Sequence, residues 1–491
     1  MRPAYAITSA LVLATTCIPS IAAGQEPPSS AVAALQQEVQ RARTLELPGM
    51  PRAHHIVATL LGEEETIVEA TLGAVVAQDR NRARILKLEV RVGDPSFDSS
   101  NFLGVAEEPI VVASTALDND TEALRRTAWL LADRAYKNAT ETYEAKRAHV
   151  ESMAKHDDAV PDFAAAPVQR WVGALPRPVP PAAAYASLAK TISAVFVGRP
   201  EIHRSVVRIA ARTRTRTLVD SAGTAIEDAS SLLRVEIVGW TQADDGMALA
   251  DHAVVASRRF EDMPAKEQLV SMARSLVSRL ERTRRAKVVD DYAGPVLFEG
   301  RAAPQLLRFL LANELSATPA PEPSAGDSAA ASSSLSARVG WRILPLAFGV
   351  VDDPSRDGTA GMPLIGGYRF DDEGVRAQTV AVVADGRLRA LLSSRTPSKE
   401  FAVSNGHGRS GPVGHARGRV SNLLVSVRGG MPKAALRARL LAAARREGLD
   451  YGMIVAGFDE PALTEQAMKP MSAAGGGVVL PRPTEVYVLR A

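Results

Sequence analysis

The chain of 491 residues holds one cysteine, Cys17, which excludes an intramolecular disulfide and any metal site built from clustered thiolates. Excess charge is also scarce: 58 Lys and Arg face 55 Asp and Glu, a formal +3, so nucleic-acid binding does not follow from net charge. Beyond the N-terminus no apolar run approaches the roughly 18 residues of a membrane span. Several catalytic signatures are missing too: H-E-x-x-H, H-x-x-E-H, the G-x-S-x-G elbow and the G-x-x-x-x-G-K-[ST] phosphate loop. What is present, 46% hydrophobic, 23% charged and 5% aromatic residues, is the composition of an ordinary folded protein. At roughly 150 residues per domain, the length suggests two or three domains.

Residues 1–24 read as a secretory signal peptide. Arg2 precedes an apolar centre at Leu11-Val12-Leu13-Ala14, and small residues from Ser20 to Gly24 offer a cleavage site. Cleavage removes Cys17 and leaves a cysteine-free chain suited to the periplasm or the extracellular space. A retained anchor or a lipoprotein signal is the other reading, although Thr16 fits poorly before a lipidated cysteine.

The remainder divides by pattern. Residues 31–48 predict a short helix. His55–Leu61 and Thr66–Ala70 predict strands around an acidic turn, Gly62-Glu63-Glu64-Glu65, and Ala83–Val92 alternates apolar with charged residues as a half-buried strand does. A long helix is expected over about 121–154, capped by Asp118 or Asp120. Residues 157–184, rich in Pro and Ala, read as a connector. Arg212-Thr213-Arg214-Thr215-Arg216-Thr217 sets three arginines on one strand face, either a solvated face or an anion contact. Leu269, Met272, Ala273, Leu276, Val277 and Leu280 form one buried helical stripe. Residues 316–334 are low-complexity. Beyond them, Ile365–Phe370, Val375–Ala384 and Arg387–Ser393 predict a meander whose Asp385-Gly386 turn is a strong hairpin signal.

Chemistry is thinly marked. The eight histidines show no helical metal-ligand spacing, so scattered His and carboxylates are the remaining route to a zinc site. The Gly-rich basic loop 404–419 carries Asn405, Gly406, His407, Gly408 and Arg409, a segment able to meet a peptide carboxylate, a phosphate or a peptide backbone, or to be a surface loop with turn-forming glycines. Asp352-Asp353-Pro354 and Asp371-Asp372-Glu373 suit a hard cation or acid–base work, and equally suit turns.

Taken in order, Pro295–Ala303, Trp341–Pro345, Val350–Pro354, Gly367–Val375, Arg395–Pro397 and Ser404–Arg409 resemble the TldD/PmbA (TldE) family of metallopeptidase-related proteins, and Thr71–Ala74 and Leu88–Asp94 resemble its N-terminal sheet. The resemblance implies an α+β protein: an N-terminal α/β domain (25–290) with a twisted antiparallel sheet and long helices, then a β-rich C-terminal domain (291–491). It implies a homodimer, or a heterodimer with a zinc-bearing paralogue, that encloses extended or unfolded peptide held by strand addition. Active members carry H-E-x-x-x-H and a later cysteine as zinc ligands. Here Pro304–Leu315 contains no histidine, the mature chain has no cysteine, and the sequence stops at Ala491, short of the family's last strands. The resemblance therefore assigns no catalytic residue, no resident cofactor and no metal ligand, and transfers a scaffold with a tentative peptide-binding segment, Asn405 to Arg409. An exported, metal-free subunit is the leading expectation, with no nucleic-acid partner. The alternatives are a peptidase with a rearranged site, using His407 or His415 with Asp371, Asp372 or Glu373, and a non-enzymatic envelope interaction protein.

Overall fold

A computed structural model describes residues 29–103, 109–153, 160–174, 178–288, 291–321, 335–411, 414–464 and 480–490. The expected signal peptide and most of the low-complexity segment lie outside the described residues.

The N-terminal half is organised by four long strands: β1 (Ala53–Thr71), β2 (Ala74–Val92), β5 (Ile202–Asp220) and β6 (Ala225–Gln242). With β3 (Ile110–Ser114), β4 (Arg170–Val172) and β7 (Ala248–Ser257) they form a seven-stranded sheet in the order β3-β2-β1-β5-β6-β4, with β7 also paired to β6. All contacts are antiparallel except β4 with β6. Helices α1 (Ser30–Ala42), α2 (Thr121–Ser152), α3 (Ala183–Ser193) and α4 (Lys266–Arg284) cover one face.

Period-two alternation explains why only one face is covered. Ile56, Ala58 and Leu60 of β1 and Leu86, Leu88 and Val90 of β2 point to the helices and pack with Leu35, Ala128, Leu131 and Tyr136. Val207 and Ile209 of β5 and Ile237 of β6 pack against Phe196, Leu276 and Leu280. The intervening residues, among them Glu63, Lys87, Glu89, Arg91, Arg212, Arg214 and Arg216, point the other way.

The acidic turn expected at 62–65 is not a turn. β1 runs straight through it because Glu63 lies opposite Arg214 and Glu64 opposite Arg82, so the glutamates are rungs of charged ladders. Gly62 serves close approach: a β-carbon there would sit 2.5 Å from Thr215 Oγ1. The chain reverses at Leu72-Gly73, where both φ angles are positive, as a tight hairpin needs. The α2 expectation holds closely. Asp120 caps it by accepting from the Glu122 and Ala123 amides at 2.9 and 3.0 Å, and Leu124, Ala128, Leu131, Ala135 and Tyr136 are buried along one face.

The C-terminal half is built from smaller sheets. β8 (Val296–Phe298), β17 (Tyr451–Phe458) and β18 (Pro483–Arg490) make one, in the order β18-β17-β8, contacted by α5 (Ala302–Leu311) and α6 (Lys433–Arg446). β9 (Phe348–Asp352), β12 (Val380–Ala384), β13 (Arg387–Leu388) and β16 (Leu423–Val427) make another, in the order β13-β12-β9-β16, over Leu315, Val350, Val382, Leu388, Leu391 and Leu392. Two short hairpins, β10 (Gly358–Thr359) with β11 (Met362–Pro363) and β14 (Gly408–Arg409) with β15 (Arg417–Gly418), complete it. The meander is shorter than expected. Residues 364–369 form no strand, because their glycines and Tyr368 bond to loop carbonyls and side chains such as Pro354 O and Asn422. The whole is an α+β fold.

Among the described residues no helix is long and apolar enough to cross a membrane. Leu276 has no exposed surface and anchors α4 on β6. Leu276→Ala is expected to cost about 2–5 kcal/mol, read as a clear fall in the thermal unfolding midpoint; an unchanged midpoint would contradict this packing.

Candidate functional site

The apolar surface left on the uncovered sheet face is small, and the C-terminal half takes it. Phe370 packs on Leu218 and Ile226, joined by Val57 and Trp171. Arg216 ties the junction electrostatically: its guanidinium pairs with Asp228 and Asp372 and donates to the carbonyls of Phe370 and Asp371. Between the sheet and this roof lies a cleft of about 1020 Å³. Its floor is the charged face of β1, β2, β5 and β6. Its roof includes Tyr368, Asp372, Glu373, Arg409 and Ser410.

The loop singled out in the sequence splits in two. Asn405 is an internal brace: its side chain accepts from the Ser393 amide at 2.9 Å and donates to Leu391 O at 2.8 Å. Gly406 has φ +76° and accepts from the Tyr368 hydroxyl at 3.1 Å. His407 has no exposed surface; Nε2 lies 2.9 Å from Asp352 Oδ1, and Nδ1 lies 3.1 Å from both oxygens of Asn405. Gly408 donates to Asp371 Oδ2 at 2.9 Å, and a β-carbon there would fall 2.1 Å from a Glu373 oxygen. Arg409 alone of the five lines the cleft, 3.2 Å from Asp372 with its guanidinium 4.3 Å above the Tyr368 ring. Ser410 follows, its hydroxyl accepting from Lys87 Nζ at 3.1 Å.

A cluster absent from the sequence reading closes one end of the cleft. His55, Arg91, Phe163 and Arg395 converge, with the two guanidiniums 4.5 and 4.1 Å from the Phe163 ring and His55 centred 4.6 Å from it. Arg395 donates to Ala164 O at 2.9 Å, and Arg91 pairs with Glu89 and Asp98. Burial, then the charges of Arg395 and Arg91, push the His55 pKa down and hold the ring neutral. Burial works against the charge on Arg91, but Glu89 and Asp98 overrule it and hold the guanidinium ionised. The Lys87-Leu88-Glu89-Val90-Arg91 alternation did mark charges sharing one face. Nothing marked Phe163, which arrives from the irregular connector.

The acid pair is the most perturbed feature. Burial raises Asp371, although it accepts from the Glu373, Val375 and Gly408 amides. Glu373, beside Asp371 and accepting from the Arg395 amide at 2.7 Å, is pushed up to about 8 by burial and by its neighbour's charge. The protonated form is thus favoured at the Glu373 carboxyl, which lines the cleft.

Neither histidine offered for a rearranged metal site meets the acids proposed for it. His407 is taken by Asp352, and His415 by Glu89 at 3.2 Å. Among the described residues no group of three or more His, Cys, Asp or Glu side chains is placed to hold a metal ion. The segment resembling the zinc helix, α5, is packed on two sides. Ala302, Leu306 and Phe309 meet Val455 and Phe458, while Leu307 and Leu311 join the core over β9 and β12. Its polar residues are committed as well: Gln305 bonds both backbone groups of Phe458, at 3.0 and 3.3 Å, and Arg308 pairs with Glu460 at 3.1 Å. The side chains that α5 presents do not make a zinc-ligand set. On the floor, β1 and β5 are each paired on both sides, whereas β3 pairs only Ile85–Glu89 on the outer side of β2.

This two-part architecture is that of solved structures described as a modulator of a DNA gyrase from Thermotoga maritima (TM-score 0.55, 14% identity, covering 83% of this chain and 79% of that one) and as TldE from Thermococcus kodakarensis (TM-score 0.55, 12% identity, 87% and 83%). At such identities the likeness is one of fold. Residues 292–446 match the PmbA/TldA metallopeptidase C-terminal domain. A metalloprotease of Archaeoglobus fulgidus is 33% identical over 91 residues, 18% of this chain, and the match spans a fifth (20%) of that relative's length. Residues 292–446 thus place the C-terminal part of the chain in the TldD/PmbA family of metallopeptidase-related proteins, and over the rest of the chain the likeness to TldE is one of fold.

His407→Ala is expected to cost about 3 kcal/mol by leaving the Asp352 carboxylate partly uncompensated in the interior. The loss appears as a lowered unfolding midpoint, so a mutant with wild-type stability would remove this structural role. Because Asp371 and Glu373 hold protons in the folded state to higher pH than in the unfolded chain, the folded form binds more protons above the ordinary carboxylate range. Stability should therefore fall as pH rises from about 5 to about 8. Glu373→Gln should flatten that slope in denaturation midpoints measured across the range; an unaltered slope would show that Glu373 does not titrate there.

Proposed function

We propose that the protein is an exported, zinc-free member of its family that holds extended peptide in the cleft and assembles with itself or with a zinc-bearing paralogue. The observation that carries this reading is α5, wedged between two apolar clusters where active relatives are expected to carry their zinc ligands. The cleft supports the binding half of the reading: it is large, roofed and lined by both polar and apolar groups, as sites that grip flexible chains are. A peptide there lies across a sheet face and is held by side chains from the floor and by Arg409 and Ser410 from the roof. The N-terminal 24 residues supply the export half, directing the chain to the periplasm or beyond.

The purified mature protein is expected to contain well under one zinc per chain, to leave an unfolded reporter peptide intact, and to bind that peptide in fluorescence anisotropy. Stoichiometric zinc with chelator-sensitive hydrolysis would overturn the catalytically silent reading. Failure to bind any unfolded peptide would overturn the peptide-holding one.

A further inference from the structure

Ten Lys and Arg residues but five Asp and Glu line the cleft, a local excess of five positive charges in a chain whose total is +3. The basicity is therefore concentrated in this cavity rather than spread over the surface. The acids are spoken for. Glu63 takes Arg214 at 2.7 Å, Asp228 and Asp372 take Arg216, and Glu89 takes Arg91 and His415. Glu373 accepts from the Arg395 amide at 2.7 Å, and burial and Asp371 favour its protonated form.

Three cations are left over. Arg369 is exposed, stacked 3.9 Å from the Trp171 ring, and has no carboxylate partner among the described residues. Arg419 is likewise exposed and has no carboxylate partner among the described residues, and burial, followed by the charge of Arg419, lowers the pKa of neighbouring Arg417. Lys87 is buried, and its ammonium contacts only neutral oxygens, Ser410 Oγ at 3.1 Å and Gly414 O at 2.9 Å. Cations without a counter-charge raise the local potential, which an occupant of opposite sign relieves.

We infer that the cleft selects peptides that carry carboxylates, as acidic side chains or as a chain end, over neutral and basic ones; the inference rests on the peptide-holding reading above. A nucleic-acid occupant fits less well. Its phosphates would bring a charge at every residue past five resident carboxyl groups, and one face of each of Trp171 and Tyr368 already carries a guanidinium, leaving less ring surface for base stacking. An acidic peptide brings charge at only some positions and apolar surface at others, which matches the mixed lining.

The test uses the full mature chain and fluorescently labelled peptides matched in length: Glu-containing, Ser/Gly-only and Lys-containing. The Glu peptide is expected to bind about tenfold or more tightly than the neutral one at low salt, with the gap shrinking as salt rises, and the Lys peptide to bind weakest. The double variant R369Q/R419Q should bring the Glu peptide close to the neutral one, whereas R369K/R419K should keep the preference. Both sites are exposed, so an unchanged thermal midpoint reports an intact fold. Equal affinity for the acidic and neutral peptides would overturn the charge selection and leave peptide holding intact. Failure of all three peptides would overturn both. A single-stranded oligonucleotide of equal length binding more tightly than the Glu peptide would also overturn the inference.

Discussion

The cleft exists because four long strands alternate, turning most of their aliphatic residues to the helices and the charges between them to the other side. Leu86, Leu88 and Val90 need the helices, while Lys87, Glu89 and Arg91, interleaved with them, cannot enter that core without losing their hydration. The second half of the chain therefore covers the charged side only where it can answer the charges. Arg216 is met by two carboxylates and two carbonyls, and Arg91 by Glu89, Asp98 and the Phe163 ring. Where no answer is built in, the roof stands off and a cavity remains. The charges that are answered hold the two halves together, and those left unanswered line the cavity between them.

The sequence announced the parts that depend on local periodicity. The α4 stripe, the Asp120 cap and the β2 alternation each reflect contacts within one element, and each is found where the pattern put it. It misled where meaning depends on a partner strand. Gly-Glu-Glu-Glu reads as a turn in one dimension and as a charged ladder once Arg214 and Arg82 stand opposite. The loop at 404–410 shows the same limit in reverse. Glycines, a histidine and an arginine suggested an open binding loop, yet His407 belongs to a buried pair with Asp352, 55 positions away, and only Arg409 of the tentative segment reaches the cleft. Phe163 and Arg395, separated by more than two hundred positions, meet only because the connector folds back between the halves, and no short pattern encodes that.

The helix α5 is committed to packing on every side that its neighbours reach. A metal-bearing helix must spend one face on ligands and open that face to substrate. Here the available faces carry Leu306, Leu307, Phe309 and Leu311, and Gln305 extends the hydrogen bonding of the neighbouring strand as though it were one more backbone unit. The helix is a structural wedge between two apolar clusters.

The stitching at Arg216 has a consequence for dissecting the molecule. Severing the chain between its halves would bare Leu218 and Ile226, both without exposed surface, and would strip a nearly buried guanidinium of Asp372 and the carbonyls of Phe370 and Asp371. The N-terminal piece would then present a greasy spot ringed by arginines, a surface prone to self-association. The two halves are separate in architecture but mutually dependent in solubility, and truncation is a poor route to a minimal binding unit.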